Sequence, residues 1–466
     1  MIIRTEESKK VLSQWGGLSL GKRAIESLGL AKRVAPHLPR KGFEGATSPE
    51  QKFVGLIYGF LSGIDCLEDM DVRAQDAGFL AVTGGVCSSN RYSEFLSEFD
   101  PQQLRQLQDR LIDTSLATRR AVAGLSEFTL VLDSTKHDQF GKKQEGVEWS
   151  YDGHRGFDSL HAYDTHGFPY WYALRPGATH TADGAEEVLS AVLRKLPTSC
   201  KKRLVLADSG YYAKDFFNAC TQQGANFIVA MRANVYRPLM EKRNLNWFRC
   251  NPEKMRFFDG RAFEYAETVY HPEDCGRTLR VVFVRALRDD NEGSIFQGQD
   301  YDYAAFATDL GMHTCDALNV IQKYRKRSNA ENFVREMKNG INTRRFQFQR
   351  LNSGAAFALA AAFSMSVMRL IAHVAGNKII QFANRIRDSL IRLPCEVVRH
   401  GREVTFRFMP NHFKEVLRWQ RNYINECAAA LVPEKKPRSL TTSYLPARTS
   451  LQKTAGGFPS GMSPHA

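Results

Sequence analysis

Tyr324, Arg327, Glu331 and Lys338 are spaced by three, four and seven positions. On a helix that advances about 100° per residue they fall within roughly 60° of one another. One face would then carry a hydroxyl, a guanidinium, a carboxylate and an ammonium. The stretch from Ile321 to Arg350 holds nine basic residues against two acids, Glu331 and Glu336. An exposed helix with i,i+4 pairs such as Arg327–Glu331 is one reading. Such pairs contribute only a few tenths of a kcal/mol, and charge pairing alone calls for a better balance. A helix lying along a phosphate backbone does not; Arg335, just beside the face, and Arg325 are further candidates for backbone contacts.

Two aspartates far upstream belong to the same question. Asp133 closes the β-rich run "FTLVLDST", and Asp208 closes "RLVLADSGYY". If those strands are neighbours, the two carboxylates converge at one sheet edge. Acids at strand ends also cap the next loop, so neither aspartate decides the matter singly.

The elements that must position these residues alternate in type. Residues 1–122 read as helical. "SPEQKFVGLIYGFLSGI" opens with Ser48 as N-cap and Pro49 at N1, and "DPQQLRQLQDRLIDTSL" opens the same way at Asp100 and Pro101. Lys22, Arg23, Lys32, Arg33, Arg40 and Lys41 make a helical DNA-binding module or a helical packing domain the two readings of this segment. Residues 123–232 alternate strand and helix, the pattern of an α/β unit. "SLHAYDTHG" and "PYWYALRPG" read as antiparallel strands around Gly167. Asp183–Leu196 reads as a helix with a capping box from Asp183 and Glu186. Residues 233–309 turn β-rich, 310–375 return to the α/β pattern with the Glu331 helix, and 376–432 give helix, hairpin at His400–Gly401, and helix. The final segment, 433–466, has five prolines in 34 residues and reads as a disordered tail.

Composition narrows the partners. The 466 residues exceed one core, so two to four domains are expected. A net charge of +14 favours a polyanion such as nucleic acid, or an anionic membrane surface. The most apolar stretch, Ala355–Met368, is shorter than the roughly 20 residues a bilayer needs and reads as a buried core helix. No apolar leader follows Met1, and nine scattered cysteines without a C-x-x-C pair fit a reducing cytosol. No G-x-x-x-x-G-K-[ST] loop occurs, so a nucleotide cofactor is not indicated. Five histidines between His137 and His180 match no metal-binding spacing and are read as surface or strand residues near DNA.

Together these residues resemble the DDE transposases of bacterial insertion sequences, in the cut-and-paste group with a Tyr-Arg-Glu-Lys signature. Tyr324, Arg327, Glu331 and Lys338 match its Y-(2)-R-(3)-E-(6)-K spacing without departure, "VLDST" resembles its first aspartate motif and "LADSGYY" its second. "LRPGATHTADGAEE" is similar to the segment between them in one branch, and the likeness spans roughly residues 125–375.

The resemblance implies an RNase-H-like α/β catalytic core with a β-rich insertion before the glutamate. A helical N-terminal domain and a small α+β C-terminal region would flank it. It implies that Asp133, Asp208 and Glu331 hold two divalent cations, normally Mg2+, with Mn2+ able to substitute. Arg327 and Lys338 would grip phosphates and Tyr324 would hydrogen-bond one near the cut. Trp247 in "NLNWFRC", with Phe248 as the alternative, is the candidate on which a flipped base would stack; packing of the insertion's own core is the other reading of Trp247. The chemistry suits these residue types: cutting a phosphodiester needs an activated nucleophile, a stabilised leaving oxygen and neutralised charge, and hard cations call for oxygen ligands. Three carboxylates so close would repel, so loose geometry around Glu331 is expected without metal.

The implied partners are double-stranded DNA, as element terminal repeats and target, and a second protomer, because two ends must be brought together. A bacterial cytoplasmic, nucleoid-associated location without membrane attachment follows. The competing readings are an RNase-H-like nuclease without strand transfer and a non-catalytic DNA-binding protein descended from a transposase.

Overall fold

The centre of the chain is a ten-stranded mixed sheet. A computed structural model describes residues 3, 7–40, 47–141, 143–256, 260–272, 276–288, 301–376, 382–423 and 431. The segment 433–466, expected as a disordered tail, lies outside them. The elements that build the site are β1 (Glu127–Asp138), β2 (Arg155–Asp164), β3 (Pro169–Pro176), β4 (Lys202–Ala207), β5 (Asn226–Ala230), β6 (Glu264–Tyr270), β7 (Leu279–Leu287) and β8 (Tyr301–Thr308). The helices that matter most are α1 (Ala317–Arg325), α2 (Ser328–Arg335) and α3 (Leu351–Val374).

The strand order is β3-β2-β1-β4-β5-β8-β7-β6, with Glu148–Trp149 and Phe248–Arg249 as short strands beside β2 and β6. β1 runs antiparallel to β2 and parallel to β4, and β4 is parallel to β5. β8 then pairs antiparallel with β5 through Phe306↔Ala230, so the β-rich stretch continues the same sheet. β1, β2 and β4 read as apolar runs without clean alternation because both faces of the sheet are covered.

Odd and even positions nonetheless separate the faces. Val131 of β1 joins Leu206, Ile228, Val282 and Phe306 under α1, through Val320 and Ile321. Leu130 and Leu132 join Val205, Val229 and Phe283 on the opposite face, under the helices Ala185–Leu193 and Lys214–Gln222. Near β2 and β3 the first face is covered by α3, whose flanks are almost wholly buried. α3 is long and apolar enough to cross a membrane, but 94% of its apolar window is buried inside the protein. It is the hub on which the N-terminal helices Leu18–Ser27 and Pro49–Ser62 pack.

Local signals held at several points. Ser48 with Gln51 and Asp100 with Gln103 form capping boxes, and Gly167 takes φ 79° in the β2–β3 turn. Others did not. The capping box expected at Asp183 is absent: the helix starts at Ala185, and its N-cap residue is Gly184, which has no side chain to cap with. Asp183 accepts from the His180 amide instead, at 3.2 Å. The C-terminal hairpin pairs His400 with Glu403, so its turn residues are Gly401 and Arg402.

Candidate active site

Register brings the aspartates together. Val131 pairs with Leu206 at the end of the parallel ladder between β1 and β4, and two residues further on Asp133 and Asp208 come close enough for one guanidinium to touch both. Both lie on the face covered by α1. Asp133 does not end its strand, as expected, but sits mid-strand, because β2 continues to pair with β1 as far as Asp138↔Gly156. Asp208 does follow the last residue of β4, and its Oδ1 accepts from the Gly210 amide at 2.8 Å.

The expected single helix is broken. α1 stops at Arg325, and the amides of Lys326, Arg327 and Asn329 reach back three residues, to Lys323, Tyr324 and Lys326. This tight turn separates α1 from α2. After α2 the chain widens into a π-turn over Glu336–Gly340, closed by the Ile341 amide on the Glu336 carbonyl at 2.8 Å. Glu336 anchors that turn. Its buried carboxylate meets Arg369 Nη2 at 2.5 Å and the Ala383 amide at 2.6 Å. Of the two acids in the basic stretch, Glu336 is therefore held in the core and Glu331 is left to the site.

Arg327, at the break, gathers the three acids. Its Nη2 lies 3.2 Å from Asp133 Oδ1 and 3.5 Å from Asp208 Oδ2, and its Nη1 lies 3.2 Å from Glu331 Oε1. The side chains of Arg327 and Asp133 are 14% and 10% exposed, those of Asp208 and Glu331 34% and 65%, so the site opens to solvent on the glutamate side. Burial, reinforced by the charges of Asp208 and Glu331 and opposed by Arg327, pushes Asp133 up to about 6. Glu331, expected to sit loosely without metal, is the most exposed of the three acids and touches the guanidinium through one oxygen.

The same cation bears on metal binding. Among the described residues no three His, Cys, Asp or Glu groups come close enough together to hold an ion. The donor set itself suits a hard cation: three carboxylates, converging on one positive charge, with one of them resisting ionisation. These residues fit a divalent metal in chemistry, provided that Arg327 gives up part of its contact.

The remaining expected residues divide by position. The Tyr324 ring packs on Phe306 of β8 at 4.3 Å, and burial raises its hydroxyl to about 12, with Arg327 and all three acids close enough to influence it. Half-buried Lys338 donates to the Lys136 carbonyl at 2.5 Å, three residues beyond Asp133 on β1. Burial lowers its pKa. Arg325 and Arg335 are exposed, and Arg335 bonds Asn332 at 2.7 Å rather than an acid. Trp247 packs against the opposite face of the sheet, its ring 4.1 Å from the Arg285 guanidinium. Phe248, 55% exposed, pairs with Tyr265 on the acids' face.

Of the histidines expected on the surface or on strands, His137 and His161 lie on β1 and β2 and are buried. His137 Nε2 meets Ser159 Oγ at 2.7 Å, Ser159 meets His161 Nε2 at 2.7 Å, and His161 Nδ1 meets the Tyr163 hydroxyl at 3.1 Å. Burial lowers His137 to about 3 and His161 well below its usual value, so both are neutral. Sequence reasoning missed this chain; odd-numbered polar residues facing one another on two paired strands were its only signal.

A family model described as "Transposase DDE domain group 1" matches residues 3–426. No curated protein matches the chain.

Proposed function

The chain belongs to the transposase DDE domain group 1 family, and on that premise we propose that it is a cut-and-paste transposase of the Tyr-Arg-Glu-Lys type, acting at the terminal repeats of an insertion sequence. The observation that carries this reading is Arg327 in contact with Asp133, Asp208 and Glu331, three acids drawn from distant parts of the chain. Asp133, Asp208 and Glu331 are the residues that would hold the divalent metal, with Mg2+ the natural ion for an all-oxygen site and Mn2+ a substitute. The metal would supply an activated nucleophile and neutralise charge at the scissile phosphate.

The protein's own groups do the rest. Arg327 would offer its fork to phosphate oxygens where it gives up a carboxylate, and Lys338 would add a point charge. Tyr324 keeps its proton at neutral pH and so presents a hydrogen-bond donor. Arg325 and Arg335 lie exposed on the same two helices and extend the basic track. The strand order β3-β2-β1-β4-β5, with β2 antiparallel and β4 and β5 parallel to β1, supports an RNase-H-like core. As the base-stacking residue, Phe248 is favoured over Trp247 because it is exposed on the acids' face. A dimer on DNA follows from the need to pair two ends.

DNA carrying the element's ends, incubated with the protein and magnesium, tests the reading. Cleavage followed by joined product is expected from the parent. Asp133→Asn, Asp208→Asn and Glu331→Gln should each lose both steps while still binding DNA. Hydrolysis without joined product would favour the nuclease, and undiminished cleavage by all three variants would remove the catalytic assignment.

A further inference from the structure

The loop beyond β1 carries a feature that the catalytic reading does not use. Phe140, Trp149 and Tyr151 are 79%, 66% and 81% exposed. A single exposed ring needs no explanation, but here three large rings stand in water within twelve residues of sequence. The loop between them is tied down. Gln144 donates to the carbonyls of Phe346 and Phe348 at 2.8 and 3.0 Å, the Glu145 amide bonds Gln349 O at 2.9 Å, and the Gly177 amide bonds Gly146 O at 3.0 Å. The Ser150 amide bonds His154 O at 2.8 Å. The loop that carries the rings is thus anchored at Gln144–Gly146 and at Ser150.

Cations accompany them. The Arg345 guanidinium lies 5.8 Å from the Phe140 ring centre, and Lys136 Nζ lies 5.8 Å from that of Tyr151. Arg345 also lines a 440 Å³ cavity with Lys338, Asn339, Asn342, Arg344 and Gln347, where Asp65 is the one acid against three cations. Lys338 on its wall is bonded to the Lys136 carbonyl, three residues along β1 from Asp133. From Asp133 to Asp138, where the loop begins, β1 spans about 17 Å, a distance of several phosphates along a DNA strand.

Rings with interleaved cations match the two surfaces of a nucleic-acid strand, base face and phosphate. Duplex DNA hides its base faces in the stack, so only unpaired bases can use the rings. We propose that Phe140, Trp149 and Tyr151 form a stacking platform for unpaired bases of the DNA strand leading away from the active site, with Arg344 and Arg345 taking its phosphates. The proposal rests on the transposase reading for its substrate, and on this loop for its location.

The test measures binding, without divalent metal, of the full chain to a short mixed-sequence single strand and to the same sequence as a blunt duplex. A Phe140→Ala, Trp149→Ala, Tyr151→Ala variant should lose affinity for the single strand by about tenfold or more for each base that stacks, and hold the duplex within about twofold. The ring-for-ring variant, Phe140→Tyr, Trp149→Phe, Tyr151→Phe, should keep single-strand affinity. Single-strand binding by the alanine variant equal to the parent's would overturn the proposal. So would equal losses on both probes with an unchanged melting temperature, or a loss of self-association with single-strand affinity intact, which would give the rings to a second copy. Should the alanine variant melt early, fluorescence decides: the single strand should quench the parent's tryptophan emission more than that of Trp149→Phe, and equal quenching would sink the platform. Because no cleavage is read, these results stand apart from the catalytic test; if all three carboxylate variants cut DNA undiminished, the transposase reading would fail whatever the platform did.

Discussion

Arg327 Nη2 sits 3.2 Å from Asp133 Oδ1 across 194 residues of sequence. The contact joins a helix break to the middle of a central strand, and it places a fixed positive charge where three carboxylates meet. Two consequences follow, one for stability and one for the response to cations.

Arg327→Gln should destabilise the metal-free protein by about 1–3 kcal/mol, since it leaves a buried carboxylate without its counter-charge. Thermal melting with and without magnesium checks this. The variant should melt lower than the parent in chelator and recover more on adding magnesium. DNA cleavage should fall by about 100-fold or more, and Arg327→Lys should not restore it, because an ammonium cannot span several oxygens.

Asp133 should give the metal-free protein a pH dependence of its own. Burial lifts its pKa from 3.8 to about 6. Between those values the folded chain keeps a proton that the unfolded chain has lost, so stability falls as pH rises through the window, by about 3 kcal/mol in total. Asp133→Asn removes the effect. Melting curves in chelator should show variant and parent alike near pH 4 and the variant more stable at pH 7; a difference that does not change with pH would count against the assignment.

The two acids of the basic stretch should part company. Glu336→Gln breaks a buried ion pair with Arg369 and should cost about 3–5 kcal/mol in chemical denaturation. Glu331→Gln, at an exposed side chain, should cost less than about 1 kcal/mol yet abolish cleavage. Similar stability losses for both would mean that the roles have been divided wrongly.

Lys338→Ala should weaken DNA binding for all sequences alike and lower the slope of log affinity against log salt by about one. An unchanged slope would show that its ammonium meets no phosphate.

Much of the site was legible before the fold was known. The apolar runs around Asp133 and Asp208 named two strands, and the spacing of Tyr324, Arg327, Glu331 and Lys338 named the third segment. What local sequence could not show was long-range. The pairing of β1 with β2 from Asp133 onward depends on residues 28 to 18 positions downstream, from Asp133↔His161 to Asp138↔Gly156. The tight turn at Arg327 and the π-turn at Glu336 break a helical period that the sequence continues smoothly, and the anchor of the second is Arg369 on another helix. The contact of Arg327 with its acids was likewise hidden: periodicity placed it beside Glu331, but only the sheet register places it over Asp133 and Asp208. The burial of His137 and His161 is of the same kind, set by α3 and the 343–348 segment packing over β1 and β2 rather than by their neighbours in sequence.

Whether Asp133, Asp208 and Glu331 share divalent cations is answered most directly by anomalous scattering from manganese in crystals of the protein with a bound DNA end. Metal peaks within ligand range, on the order of 2 Å, of oxygens from all three side chains are expected, with the Arg327 guanidinium moved off at least one carboxylate. Bound DNA with no manganese between these acids, or manganese held elsewhere while Arg327 keeps all three contacts, would mean that the carboxylates serve only to position the arginine.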